Sequence, residues 1–181
     1  IETARGTGRI LIELHPETEY GIQLKNVSVK RVGERRIEGS CHQFSPGVWS
    51  HDADQDYVLH FVVEFDRPIL RVGSWKDDVV ANDIRELSSG PCKYAGLFVE
   101  FDPVRNPVVQ VRSGISLVSV ENAAQNLAAE VTEPFGWDFE AVREAARRAW
   151  NGELSKIRIE TADPAVRRIF YLSLYTSDAA D

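Results

Sequence analysis

The sequence predicts a mainly β domain with a helical exit, and three observations predict it. Residues 9–110 alternate short apolar segments with Gly, Pro, Asn and Asp and sustain no helical period. After Ser113 the period changes, and apolar residues recur three and four positions apart. The composition, 43% hydrophobic and 27% charged over 181 residues, is that of a globular chain and excludes a disordered tail, a collagen-like repeat or a coiled coil.

Strands are expected at 9–14, 26–30, 35–40, 57–65, 69–75, 94–102 and 107–112, roughly the spacing of a sandwich. The clearest is 57–65. Tyr57, Leu59, Phe61, Val63 and Phe65 point one way, and Val58, His60, Val62 and Glu64 the other, giving a core face and a mixed face. Pro68, Pro91, Pro103 and Pro107 fall at the edges of these runs, where a missing N–H does no harm.

Val120, Ala123, Ala124, Leu127, Ala128 and Val131 then mark a helix, with Ser119 as its N-cap and Glu121 in its first turn. Residues 133–136 read as a loop. A second helix starts at Asp138 on the stripe Val142, Ala145, Ala146, Ala149, Trp150 and Leu154. A short strand is expected at 156–160. Asp163 before Pro164 opens a last helix whose apolar stripe is Val166, Ile169, Phe170 and Leu174.

The 21 Lys and Arg against 28 Asp and Glu leave a net charge of −7 with no basic block, which argues against nucleic acid and anionic membrane surfaces as partners. No apolar run approaches the roughly 18 residues of a membrane span, and no signal-peptide pattern opens the chain. The chain has no methionine and begins at Ile1, so the expectation is a piece of a longer product. Cys41 and Cys92 could form one disulfide in an oxidising compartment or remain buried thiols, and two cysteines are too few to define a framework.

Chemistry-bearing motifs are sparse. Gly6 and Gly8 lack the strand and further glycine of a phosphate loop, and there is no metalloprotease helix, zinc-spaced Cys pair or nucleophile elbow. His15, His42, His51 and His60 show no paired spacing, and His60 reads as a structural or exposed residue on the mixed strand face. Asp52, Asp54 and Asp56 alternate as in calcium loops, but the turning glycine and distal glutamate are missing, and the alternative is a solvated hairpin tip just before the clearest strand, where Asp and Ser favour turns. Asp77 and Asp78 are neighbours beside Trp75, with no sign of a pair held across a sugar. Trp49 and Trp75 lie near loops, where a tryptophan either joins the core or stacks on a sugar ring.

The stretch VQVRSGISLVSVENAAQNLAAE at 109–130, then GWDF at 136–139, AWN at 149–151, LSKI at 154–157 and RIFYLSLY at 168–175, resembles the bacterial glycoside hydrolase family 92. IEGS at 37–40 and the segment 57–68 resemble strands of that family's N-terminal domain. The resemblance is strong over 109–175 and weaker before it.

The resemblance implies a galactose-mutarotase-like β-supersandwich, a helical linker and an (α/α)6 barrel. It divides this chain into later sandwich (1–118), linker (119–160), the first helix of a truncated barrel (161–175) and a non-native tail (176–181). It further implies exo-acting, inverting, calcium-dependent hydrolysis of terminal α-1,2-linked mannose, with mannose-containing glycans as substrate, the barrel as intramolecular partner, and a periplasmic or secreted location. Inversion uses two carboxylates about 6.5–9.5 Å apart with water between. None of the family's catalytic or calcium motifs matches a position here, so no catalytic, substrate-binding or metal residue is carried over and the fragment alone is expected to be inactive. The alternative is a free-standing carbohydrate-binding sandwich. In either case Gly114 is expected in the tight turn out of the last strand, and Trp137, Phe139 and Trp150 at surfaces between domains.

Overall fold

The computed structural model describes residues 8–15, 21–47, 54–105 and 107–176, the last six as backbone only. It divides into two compact units, residues 1–137 and 138–181, so the predicted linker is split between them.

The first unit is a sandwich of two antiparallel sheets. Its strands are β1 (Gly8–Glu13), β2 (Gln23–Val32), β3 (Arg36–Ser45), β4 (Gln55–Phe65), β5 (Arg71–Lys76), β6 (Val79–Ala81), β7 (Glu86–Ser89), β8 (Ala95–Phe101) and β9 (Val111–Ser116). One sheet runs β1-β8-β5-β6 and the other β7-β2-β3-β4-β9. Alternation places Ile10, Val72, Leu97, Val99 and Phe101 of the first sheet against Val27, Val29, Ile37, Phe61, Val63 and Phe65 of the second, forming one continuous core. The rings of Phe65 and Phe101 meet across the sheets at 5.2 Å.

The mainly β class stands, and so does the two-faced reading of residues 57–65. Phe61, Val63 and Phe65 lie in the inter-sheet core, while Val62, on the opposite face, joins Ala123 and Leu127 in a second cluster. That cluster is the seat of helix α1 (Val120–Leu127), capped as expected by Ser119, whose hydroxyl accepts from the Asn122 N–H at 3.1 Å.

Several local expectations are corrected. The strand expected at 107–112 is β9, shifted to Val111–Ser116. Pro107 offers no N–H, and the backbone of Gln110 is taken by Asp66: its N–H donates to the Asp66 carboxylate at 2.8 Å, and its carbonyl accepts from the Asp66 N–H at 3.2 Å. Gly114 lies inside β9, opposite Val62, and makes no turn. A Cβ there would lie 2.7 Å from the Leu127 Cβ, so the glycine is what lets α1 touch the sheet. Residues 133–136 are no loop. From α1 the chain continues through a π-type turn (Ala128–Thr132) into the short α2 (Glu133–Phe135), because Pro134 sits where a helix tolerates it, and Gly136 at φ +58° ends the run. The short strands β6 and β7 carry too few alternating residues to announce themselves.

The second unit holds α3 (Phe139–Leu154) and α4 (Pro164–Thr176). Asp138 caps α3 by accepting from the Ala141 N–H at 2.9 Å, and Asp163 accepts from the Ala165 N–H at 2.8 Å. No strand forms at 156–160. The N–H groups of Ser155 and Lys156 fold back onto the carbonyls of Asn151 and Glu153, and Ile157 is 65% exposed.

Candidate functional site

The two described aspartates of the run at the start of β4, Asp54 and Asp56, make separate structural bonds. Asp56 accepts from Lys25 Nζ at 2.6 Å and pairs with His42 Nε2. The Lys25 bond, then the His42 bond, holds its carboxyl below the usual aspartate range. Asp54 accepts from the Gly47 N–H at 3.2 Å, closing the hairpin between β3 and β4. Trp49, His51 and Asp52 lie outside the described residues. Calcium needs six or more oxygens, and the two described carboxylates of this run are committed to other partners. Among the described residues no three His, Cys, Asp or Glu side chains gather to hold an ion.

Asp77 and Asp78 form the two-residue turn between β5 and β6. Asp77 takes φ +49°, and its carboxylate accepts from the N–H groups of Tyr94 at 3.0 Å and Lys93 at 2.9 Å, which lowers its pKa. Trp75, beside this turn, is half-buried on the outer face of the smaller sheet, its ring lying where a Cβ on Gly96 of β8 would be. Glu13 of β1 flanks Gly96 on the other side, in register.

The histidines are dispersed. His15 Nε2 lies 2.6 Å from the Ile22 carbonyl and its ring meets Tyr94 edge-on at 5.3 Å. His60 is half-buried on the outer face of β4, paired in register with Ser40 and Ser116. Both thiols, Cys41 and Cys92, are free. Burial pushes the Cys41 thiol up, against a weaker opposing bond from Gln43.

Two clusters escaped the sequence reading. On the smaller sheet Glu100, only 6% exposed, accepts from Arg9 Nε at 3.0 Å and lies 3.7 Å from Arg71 Nε. On the larger sheet Arg112 binds Glu64, the Gly136 carbonyl and the Trp137 ring. Alternation does put Glu64 on the mixed face and could have put Glu100 on an outer one, but their arginine partners, tens of residues away, leave no local signal. A cavity of about 350 Å³ opens between the sheets, lined by Ile12, Leu14, Leu59, Phe61 and Ile115, with Glu13 as its one carboxylate among the described residues. Glycoside hydrolysis needs two carboxyl groups facing one sugar, and among the described residues each of five cavities has at most one in its lining.

The model of the glycosyl hydrolase family 92 N-terminal domain matches residues 3–116, well over half of the chain. The chain belongs to glycosyl hydrolase family 92. The model of that family's catalytic domain matches residues 122–180, so its two domain types follow in order. The solved inverting mannosidase of family GH92 from Bacteroides thetaiotaomicron VPI-5482 superposes with a TM-score of 0.74 at 20% identity, covering 96% of this chain and 21% of that one. The family glycosyl hydrolase ccman5 gives 0.72 at 24% identity, covering 95% and 22%. A GH92 α-mannosidase from Bacteroides thetaiotaomicron gives 0.68 at 18%, covering 94% and 22%. These likenesses carry the fold: the sandwich and the helices that follow it. The family 92 chain thus spans about a fifth of the length of the solved structures it matches. No protein with a curated description matches it closely enough to count as a relative.

Proposed function

We propose that the chain is the later sandwich, helical linker and first catalytic-domain helix of an exo-acting, inverting α-mannosidase that trims terminal mannose from glycans. The observation that carries this reading is the succession of the family's two domain models along one chain, 3–116 and then 122–180. We divide it as sandwich 1–118, linker 119–160 and barrel start 161–175. The sandwich supports the barrel, and the reacting carboxylates and the calcium belong to the portion of the relatives' fold that this chain does not span. Calcium there would act as template and charge stabiliser for the sugar. Trp75, seated over Gly96 beside an exposed Glu13, gives the sandwich a surface of the kind that stacks on a pyranose face. Export to the periplasm or medium goes with this reading, as the family resemblance implies.

The test is hydrolysis of an α-1,2-linked mannobiose followed by proton NMR. The isolated 181-residue chain releases no mannose, and the same chain extended through its complete reading frame releases mannose first as the β anomer. Release by the isolated chain, no release by the extended protein, or initial α-mannose would each overturn it.

A further inference from the structure

Where the chain crosses from β6 of the smaller sheet to β7 of the larger one, a cavity of about 460 Å³ is lined by Arg31, Arg71 and Arg85. Among the described residues Asp83 is its one carboxylate, and the neighbours in sequence Glu34 and Glu86 are not part of the lining. The cavity is thus basic in a chain whose net charge is −7. Backbone bonds build the place. The Arg31 N–H donates to the Arg85 carbonyl at 2.9 Å, and the Ile84 N–H donates to the Val72 carbonyl at 2.9 Å. Residues 84 and 85 are thereby pinned between β2 of one sheet and β5 of the other.

The three guanidinium groups are unequally matched. Arg71 Nε lies 3.1 Å from Asp83 Oδ1 and 3.7 Å from Glu100 Oε2, so its charge is met. Arg31 Nε and Nη2 donate to the carbonyls of Gly33 at 2.9 Å and Ile69 at 2.8 Å, neutral acceptors that leave its charge uncompensated. Arg85 is exposed, and its guanidinium has no acceptor among the described residues. A cleft lined by one sign of charge concentrates ions of the other, and the planar fork of arginine binds phosphate oxygens in pairs. Forks carried by three separate elements suit the tetrahedral spread of phosphate oxygens better than the single plane of a carboxylate.

We propose that this cavity is an anion site that takes a phosphate group, either inorganic phosphate or a phosphate ester on a sugar. Arg31 and Arg85 bind it, and Arg71, tied to Asp83 and Glu100, is the fixed wall beside them. The site lies wholly within the first unit, and the proposal does not rest on the hydrolase reading. A bound phosphate would replace the mutual repulsion of two unmatched guanidinium groups with charge-assisted hydrogen bonds.

The experiment titrates the isotope-labelled 181-residue chain, followed by two-dimensional NMR, with sodium phosphate, mannose 6-phosphate, mannose, sodium acetate and sodium chloride at matched ionic strength. Millimolar phosphate is expected to shift the signals of residues 31–33 and 83–85 saturably, and chloride, acetate and mannose to give no saturable shift there. Arg85→Gln, at an exposed side chain with no partner to lose, is expected to keep the fold and weaken binding about tenfold, the weight of one charge-assisted hydrogen bond. Arg85→Glu should abolish binding, and Arg105→Gln, at another exposed arginine of the first unit, should leave it unchanged. Tighter binding of mannose 6-phosphate than of inorganic phosphate makes the sugar ester the ligand, and equal or weaker binding makes it the free anion. No saturable shift with either, an equal response to acetate, or unchanged affinity in both Arg85 variants would overturn the proposal. None of these readouts involves mannose release, so failure of the hydrolase reading leaves a separate trace.

Discussion

A side chain on Gly114 would begin 2.7 Å from the Cβ of Leu127, closer than any two such carbons pack. The larger sheet and α1 meet at that glycine. Around it Val62, Ala123 and Leu127 are buried as a cluster separate from the inter-sheet core.

Gly114→Ala is therefore expected to push α1 off β9 and β4, costing about 1–3 kcal/mol in chemical denaturation, the usual range for overpacking a tight contact. Hydrogen exchange should rise over residues 120–127 while β2 and β3 keep their protection. Unchanged stability would mean that the contact is looser than the geometry shows.

Acid should loosen both Asp56 and Asp77. Each has its pKa lowered in the folded chain, Asp56 chiefly by the Lys25 bond and Asp77 chiefly by the Tyr94 N–H. A carboxylate with a depressed folded-state pKa contributes stability above its unfolded value and loses it as pH falls through the folded one. Their contributions are complete at neutral pH, begin to go near 3.8, the ordinary aspartate value, and finish below it. Asp77→Asn should flatten the acid limb of melting temperature against pH. An equally steep limb in that variant would remove Asp77 from the account.

Thiol chemistry should separate the two cysteines. Cys41 is 1% exposed and its pKa is raised by burial, so it should react with a disulfide reagent only on unfolding. Cys92, half-buried at the bridge to Leu24, should react in the native chain at a slow, measurable rate. Two thiols by titration in denaturant is the expected total, and a total of zero would indicate a disulfide.

Much of the fold was legible in the residues. The alternation of residues 57–65 named both faces of β4, and Ser119, Asp138 and Asp163 marked three helix starts because an N-cap is a short-range device readable from a few neighbours. The last strand was displaced because Asp66, 44 positions earlier, takes the backbone of Gln110. The expected strand at 156–160 failed for the complementary reason: an alternating pattern makes a strand only when a ladder is supplied. For the site, Asp54, Asp56 and Asp77 were noticed by type, but their partners showed them to be turn and hairpin fasteners.

Local periodicity, capping chemistry and an ordered run of family motifs were enough, by themselves, to determine a mainly β sandwich leading into helices of glycosyl hydrolase family 92. Those signals reside within a turn or a strand length, and a linear sequence displays them directly. Only the tertiary structure decided that Gly114 is a contact, that Glu100 is buried beside Arg9 and Arg71, and that Arg112 joins β4 to the exit of the first unit. Each of those depends on distances between residues far apart in sequence, fixed by sheet register and by the space a missing side chain leaves.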